Sequence, residues 1–278
     1  MKNLFLKFKQ LSLSTKIALS FIIIILFVGI FSSVICVHPH NLPSGLSFES
    51  PNKEHIFGTD DLGIDLFSQI CYGGKLSLIV GIITALFSGC IGAILGILSG
   101  YYGGTLDSII MRLVDITTVL PDLPMMILLG AFFGPSITNI IIVLVLFSWA
   151  TPTRIVRSKV MSIKKEAYIV VAKSYGASFY HLMMKHFLPQ VLPILMITVI
   201  KLTSKAIISE ASLSFLGLAD PTSKSWGLIL NHAINFKGIY FTNYWKWWVI
   251  APLAAIISVV FSISIISRDL EKVCNKKL

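Results

Sequence analysis

The sequence predicts an all-α fold, a polytopic membrane protein with six transmembrane helices. Of its 278 residues, 55% are hydrophobic and only 13% are charged, about half the charge usual in a soluble domain. The mean hydropathy is +0.83. The apolar residues stand in runs of about 20, which as helices match the ~30 Å hydrocarbon core of a bilayer. Strands of a porin-like barrel would instead alternate polar and apolar residues over about 10 positions.

The apolar runs define six predicted spans, and the third is the least regular because Pro121, Asp122 and Pro124 interrupt it. Proline is tolerated in a membrane helix when neighbouring helices or water satisfy the freed carbonyls. The first span is longer than a signal-peptide core and no A-x-A pattern follows it, so we expect an uncleaved anchor. In chain order the spans cover residues 17–37, 77–100, 113–133, 137–154, 191–217 and 247–267.

The distribution of Lys and Arg predicts that both termini lie in the cytoplasm. The segments on the N-terminal side of the membrane hold 16 of these residues and the opposite segments hold 5, and positive charge marks the cytoplasmic side. The other two, Lys201 and Lys205, fall inside the fifth span. The expected organisation is a cytoplasmic segment, a first helix, an external loop, a core of five further helices and a cytoplasmic tail, at residues 1–16, 17–37, 38–76, 77–267 and 268–278.

The net charge of +10 raises the question of nucleic acid as a partner. Lys and Arg flanking membrane spans explain the charge without it, so we expect contact with membrane lipid and none with nucleic acid. The four cysteines form no CxxC pair or Cys/His cluster. The sequence therefore predicts no metal site, no disulfide framework and no cofactor.

A stripe of small residues runs along the second span. Gly92, Gly96 and Gly100 recur every four positions and share one helix face, where a backbone from another helix can approach closely. Two interpretations stay open here. The stripe packs against another helix of this chain, or it packs against a partner subunit or along a moving pathway.

The fifth span carries three ionisable residues at membrane depth. Lys201 and Lys205 lie one turn apart on the same face, whereas Glu210 lies about half a turn round the helix from Lys201. Such groups are costly in lipid and normally face protein or water. We expect structural pairing with other elements, with a role in a polar pathway as the alternative.

Two acidic residues, Asp115 and Asp122, belong to the third span. Arg112 and Asp115 are three positions apart, a spacing that permits an ion pair along one helix. That pairing is the expected one, and lining a polar pathway is the alternative.

Residues 158–189 form a basic segment between two hydrophobic spans. The pattern predicts a short amphipathic helix stopped by Gly176, followed by a second helical stretch that enters the next span at Pro189. A basic amphipathic helix on an anionic lipid surface explains the lysines. It does not explain the glycine turn with a second helix, which indicates a surface for a soluble protein partner.

Here the chain resembles the permease subunits of ABC importers. Ala172, Gly176 and the Leu188-Pro189 pair follow the spacing of their cytoplasmic coupling loop. From about residue 56 onward the chain is similar to the dipeptide, oligopeptide and nickel permease group, in particular the second, C-type permease of each pair. The segments that carry the resemblance are FGTDDLGIDLFS at 57–68, LSGYYGGTLDSIIMRLVDI at 98–116, VAKSYGAS at 171–178 and SEASLSFLGLADPTSKSWG at 209–227.

The resemblance implies a type I ABC importer transmembrane fold on the prokaryotic inner membrane. It implies a heterodimer with a second permease, two cytoplasmic ATPase subunits and an extracytoplasmic solute-binding protein that meets the segments at 38–76 and 218–246. The loop departs from the family pattern where Val170 and Val171 replace a Glu-Ala pair, as does Ile64 where Arg is usual. The residues expected to couple to the ATPase are Val170, Ala172, Gly176, Ala177, Phe179 and Pro189.

No G-x-x-x-x-G-K-[ST] loop is present, and the phosphates and Mg²⁺ of ATP need its backbone and hydroxyl. We therefore expect no enzyme activity here and ATP hydrolysis in separate subunits. The main alternative is an ion-coupled secondary transporter acting alone, with Asp115 and Glu210 as relay groups. Similar permeases carry peptides, nickel, opines or oligosaccharides. Peptide is the first expectation for the cargo and nickel or a nickel chelate the second.

Overall fold

The structure, a computed structural model, describes residues 12–275 and confirms the all-α prediction. Within that range regular structure is helical apart from one isolated β-bridge between Thr59 and Asp65. The α-helices are α1 Leu13–Ile30, α2 Ser32–Ile35, α3 Leu66–Tyr102, α4 Gly104–Val119, α5 Asp122–Phe133, α6 Ile137–Ser148, α7 Ala150–Ile163, α8 Ala167–Ser174, α9 Phe179–Leu182, α10 Leu188–Phe215, α11 Trp226–Asn235, α12 Trp245–Trp248 and α13 Ile250–Asn275. A π-helical turn, Met183–Phe187, joins α9 to α10.

Five helical stretches of the described range are long and apolar enough to cross a membrane. The third predicted span is different, because α4 and α5 form a pair bent by 92°. The break falls at Leu120 and Pro121, where proline disfavours the helical conformation of the residue before it. Leu120 accordingly has extended backbone angles. Counting the bent pair as one span gives six.

The central helix of the bundle is α3, which contacts α6, α7 and α10 along its length. It begins where the Asp65 carboxylate accepts a hydrogen bond from the Ser68 amide at 2.8 Å, a helix N-cap. With 37 residues it is about 55 Å long, more than the bilayer requires. Its last turn holds Tyr101, whose ring packs against Phe179 and Phe187 of the basic segment.

The two ends of the bundle differ in character. One end, called the basic end, carries residues 164–187 together with the start of α1 and the last turns of α13. The opposite end, called the loop end, carries residues 36–65 and 216–249. There the Trp226 indole donates to the Ile70 carbonyl at 2.9 Å, which fixes α11 against the start of α3.

Candidate functional site

The basic end is built around a helix stop at Gly176. Its φ angle is +82°, a left-handed conformation that glycine adopts without penalty. The Ala177 amide donates to the Ala172 carbonyl and the Gly176 amide to the Lys173 carbonyl, both at 3.0 Å. This pair of bonds is a Schellman motif. It ends α8 and redirects the chain into α9, as the sequence pattern predicts.

The inner face of this segment belongs to the main body of the protein. Ile169, Leu182 and Phe187 are fully buried in one cluster with residues of α3 and α7, among them Ile97 and Val160. Such close packing makes the segment and the two long helices move together. We call residues 164–189, with this buried face, the coupling block.

The predicted coupling residues take different places on that block. Val170 is exposed, whereas Ala172 and Ala177 are partly buried against the cluster. The Phe179 ring packs against the rings of Tyr101 and Tyr102, with centroids 4.8 and 5.3 Å away. Further residues form the outward surface with Val170, namely Val171, Lys173, Tyr175, Gly176, Tyr180 and Pro189.

A side-chain hydrogen bond joins α8 of the coupling block to the start of α10. The Gln190 amide donates to the Tyr168 hydroxyl at 2.6 Å. Tyr168 belongs to α8, and Gln190 lines a cavity on α10. Local spacing does not predict this bond, because the two residues are 22 positions apart.

That cavity opens a groove along α10. It has a volume of about 610 Å³ and lies between α7, α10 and α13. A neighbouring cavity of about 830 Å³, walled by α5, α10 and α13, shares Lys205 with it. Because α10 lines both cavities from Gln190 to Ser212, the combined surface spans about 33 Å of helix, roughly one bilayer core. We call this surface the α10 groove.

Both span lysines face the α10 groove and each meets an acidic residue of another helix. Lys201 Nζ lies 2.8 Å from Glu271 Oε2 on α13, and Lys205 Nζ lies 2.5 Å from Asp122 Oδ2 on α5. The lysine side chains remain 50% and 47% exposed. The pairs therefore sit at the open surface of the groove and not inside the bundle.

Glu210 lies on a different face of α10 from the two lysines, as its angle around the helix predicts. It is buried and accepts hydrogen bonds from the Ser77 hydroxyl at 2.9 Å and the Ser214 hydroxyl at 2.7 Å. The expectation of a partner on another element is confirmed by Ser77 of α3. That partner is a hydroxyl and not a cation.

The expected Arg112–Asp115 pair is wrong. Asp115 instead accepts from Arg154 of α7, with Oδ1 and Nη2 2.7 Å apart. A second pair joins the same two helices, because Arg157 holds both oxygens of Asp107 at 2.5 and 2.6 Å. Both acidic residues of α4 pair with arginines of α7, and spacing within one helix carries no information about such neighbours.

The structure places the glycine stripe against α7 of the same chain. A Cβ added to Gly92 would come within 2.6 Å of Pro152, and one on Gly96 within 2.7 Å of Val156. At Gly100 the nearest atoms belong to Arg157 and Val160. Only hydrogen in place of a side chain lets α3 and α7 approach this closely.

At the loop end, Asp220 opens the turn that leads into α11. Its carboxylate accepts from the Thr222 hydroxyl at 2.6 Å and from the Thr222 amide at 2.8 Å. These bonds stabilise the ionised form and lower the pKa of Asp220. Three residues beyond Thr222, Ser225 caps the first turn of α11. The SEASLSFLGLADPTSKSWG segment is thus a defined turn and helix, not a loose loop.

Comparison with known proteins assigns these features to a family. Residues 92–273 match the model of the binding-protein-dependent transport system inner membrane component, a stretch that includes the coupling block and the α10 groove. The chain belongs to this family. The matched part begins within α3, so it leaves out α1, α2, the segment before α3 and the first part of α3.

Relatives of the permease align with nearly its whole length. The oligopeptide transport system permease protein OppC of Bacillus subtilis (strain 168) is 31% identical over 279 residues, covering 100% of this chain and 90% of OppC. The dipeptide transport system permease protein DppC of the same organism is 32% identical over 277 residues, 98% of this chain and 84% of DppC. The glutathione transport system permease protein GsiD of Escherichia coli O6:K15:H31 is 35% identical over 218 residues, covering 77% of this chain and 71% of GsiD.

The fold agrees with solved ABC importers. A chain of the MetNI methionine ABC transporter in an inward-facing conformation superposes with a TM-score of 0.56 over 74% of this chain and 97% of its own, at 16% identity. The permease is therefore a multi-span membrane subunit of an ABC importer. Permeases of this family leave ATP hydrolysis to separate subunits, which confirms the expectation that this chain is not itself an enzyme.

Proposed function

We propose that this permease is the C-type subunit of an ATP-driven, binding-protein-dependent importer of short peptides. The observation that carries the proposal is the near-complete alignment with oligopeptide and dipeptide permeases. The α10 groove supports it, since it runs the depth of a bilayer and is lined by polar as well as apolar groups. Nickel remains the second candidate cargo, to be tested beside peptide.

The partners follow from the same proposal. A second, homologous permease pairs with this one, two ATPase subunits bind at the basic end, and an extracytoplasmic binding protein docks at the loop end. The basic end then faces the cytoplasm with both termini, in agreement with the excess of Lys and Arg there. This places the complex in the inner membrane of a prokaryote.

The effect of ATP binding is transmitted from the ATPase subunits to the groove through the coupling block. Closure of the ATPase pair on ATP pushes the outward surface of the block, which includes Val170, Gly176 and Pro189. Because the inner face of the block is packed into α3, α7 and α10, these helices shift with it. The groove then changes between two openings, as a two-state element biased by ligand.

The packing suggests two tasks for the predicted coupling residues. Val170 and Gly176 stand at the surface and contact the ATPase. Ala172, Ala177 and Phe179 face the body of the protein and transmit the displacement, Phe179 through Tyr101 and Tyr102. On this division, enlarging a surface residue weakens ATPase docking, and truncating Phe179 leaves docking intact but loosens transmission.

Reconstitution tests the main proposal. The permease is co-expressed with a candidate partner permease and two candidate ATPase subunits from the same genome, placed in liposomes, and supplied with binding protein and a labelled dipeptide or with ⁶³Ni²⁺. We expect peptide uptake that needs both ATP and binding protein. Uptake by this permease alone, driven by a proton or sodium gradient without ATP, would establish the ion-coupled alternative instead.

Gly176 offers a sharp test of coupling, with Gly217 as its matched control. Both end a helix in a Schellman motif, with φ angles of +82° and +78° and open space where a Cβ would stand, so Gly→Leu imposes a similar backbone strain at each. Gly217 follows α10 at the loop end, away from the coupling block. We expect Gly176→Leu to keep ATPase activity but abolish most uptake, and Gly217→Leu to retain coupled uptake. Equal behaviour of the two variants contradicts the docking assignment.

A further inference from the structure

We propose that Lys201 and Lys205 form a carboxylate-binding subsite in the α10 groove, which receives the C-terminal carboxylate of the peptide as it crosses the membrane. The inference rests on the proposed function and names the chemical group that the groove recognises. Three observations support it: the position of the two ammonium groups along α10, their exposure and their ion pairs.

Both lysines lie within the fifth predicted span, and Lys201 reaches towards the basic end, where it meets Glu271 of the last turns of α13. They are 13 and 17 residues from the start of α10 at Leu188, about 20 and 26 Å along the helix. An ammonium group at that depth faces water or protein, because exposure to lipid is costly. Since both side chains are about half exposed in the single subunit, the open side of the groove is an aqueous or partner-covered path.

The ion pairs already present are suited to exchange. Lys201 with Glu271 and Lys205 with Asp122 are partly exposed pairs, and such pairs contribute little net stability. An ammonium group also has three donors, so each lysine has hydrogen-bonding capacity beyond its resident carboxylate. An incoming carboxylate can replace Glu271 or Asp122 without leaving a lysine unpaired.

The surrounding groove fits a short peptide with one anionic end. Its more enclosed part, about 610 Å³, lies in the usual range of ligand pockets, about 300–1,000 Å³. Ile194 and Ile197 offer apolar contact, while Thr198 and Gln190 offer hydrogen bonds. Lys159 lines the same cavity, so three ammonium groups face one carboxylate, that of Glu271, there. The excess of positive charge attracts a carboxylate and disfavours a free divalent cation.

The spacing supports a passage in steps. Lys205 is shared by the two cavities and Lys201 lines the one nearer the coupling block. One turn separates them, about 6 Å. A carboxylate released by Lys205 therefore meets Lys201 next, and Gln190 beyond it carries the bond to Tyr168 of the coupling block.

The test removes each ion pair as a unit, so that no charge is left without its partner. In the complete importer, Lys201→Gln with Glu271→Gln, and separately Lys205→Gln with Asp122→Asn, are compared with wild type for uptake of trialanine and trialanine amide. We expect the preference for the free carboxylate to fall about tenfold in each double variant, the usual scale of a charged hydrogen bond. Lys16→Gln on α1, outside the groove, is the control and should keep the preference.

Two results would overturn the subsite. If the double variants keep the wild-type preference for trialanine over trialanine amide, the lysines do not bind the carboxylate. An equal loss of uptake for both peptides shows that the pairs serve only packing or the permease interface. If wild type itself fails to import trialanine with ATP and binding protein, the proposed function fails, and that result is separate from either of these.

Wild-type protein provides a second measurement that needs neither uptake nor variants. Lysine acetylation is quantified by mass spectrometry in the assembled complex without binding protein, with trialanine or trialanine amide present at the same concentration. We expect trialanine to protect Lys201 and Lys205 at least threefold more than the amide does, and Lys16 to be modified equally in both samples. Equal modification of the two groove lysines with either peptide contradicts the proposal.

Discussion

The Ser77 hydroxyl donates a hydrogen bond to Glu210 at 2.9 Å, joining α3 to α10 across 133 positions of sequence. Ser214 donates to the other oxygen of the same carboxylate. Glu210 is almost completely buried. Its surroundings are these hydroxyls and a small, mainly apolar cavity that Ser223 and Ser225 also line. The two longest helices of the bundle are therefore fastened to each other by a polar contact inside an apolar core.

Replacing Glu210 separates the hydrogen-bonding role from the volume of the side chain. Glu210→Ala leaves two buried hydroxyls without their acceptor and creates a cavity, at a cost of about 2–4 kcal/mol. Glu210→Gln keeps the volume and one carbonyl acceptor and should lose less than half of that. Thermal unfolding of the purified complex in detergent measures both. An alanine variant that melts with wild type contradicts this role for Glu210.

The two ion pairs between α4 and α7 provide an internal comparison. Arg157 holds Asp107 with two bonds, and their side chains are 26% and 18% exposed, against 54% and 58% for Arg154 and Asp115. Bidentate, sheltered pairs contribute more than exposed ones. We expect Asp107→Asn to destabilise the bundle by about 1–3 kcal/mol and Asp115→Asn by less than about 1 kcal/mol.

Chemical denaturation of the two asparagine variants, measured side by side, tests this order. Raising the salt concentration should weaken the Asp115 pair more, because exposed charges are screened first. If Asp115→Asn proves the more harmful substitution, Asp115 has a role that its ion pair with Arg154 does not explain.

Close packing of α3 on α7 predicts the behaviour of the glycine stripe. An added Cβ at Gly96 would lie 2.7 Å from the Thr153 carbonyl and from Val156, and overpacking of this kind costs about 1–3 kcal/mol. Gly96→Ala should therefore lower the melting temperature. Gly130→Ala is the control, since its Cβ would lie 3.5 Å from Leu218 in ordinary contact. The control should match wild type or exceed it slightly, because alanine favours the helix.

The sequence predicts correctly those features that depend on a single helix or turn. Long apolar runs predict the spans, and the left-handed conformation at Gly176 follows from glycine between two helical patterns. The half-turn between Lys201 and Glu210 predicts that they face different neighbours, and the structure confirms this with Glu271 and Ser77.

The rest of the site depends on which helices become neighbours, and one sequence does not carry that information. The pairing of Asp115 with Arg154 joins residues 39 positions apart, so local spacing led to Arg112 instead. The 92° bend between α4 and α5 was visible only as an interruption by prolines. The packing of Phe179 on Tyr101 and Tyr102 likewise required the position of the end of α3.

The hydrogen bond between Tyr168 and Gln190 predicts a loss of coupling without a loss of assembly. It is the direct polar link from α8 to the cavity on α10, so removing it should let the coupling block move without the groove. Tyr168→Phe deletes only the hydroxyl and keeps the ring contact with His186. We expect the number of ATP molecules hydrolysed per peptide imported to rise about two- to fivefold, the effect of one hydrogen bond of about 0.5–1 kcal/mol.

Gln190→Leu should reproduce this ratio, and the double variant should add little, because both substitutions remove the same bond. Tyr102→Phe is the matched control. It also loses a hydroxyl at the basic end but keeps the ring contact with Phe179, and it should couple as wild type does. Additive effects of Tyr168→Phe and Gln190→Leu would mean that the two residues act separately, and the link between coupling block and groove would then run through apolar packing alone.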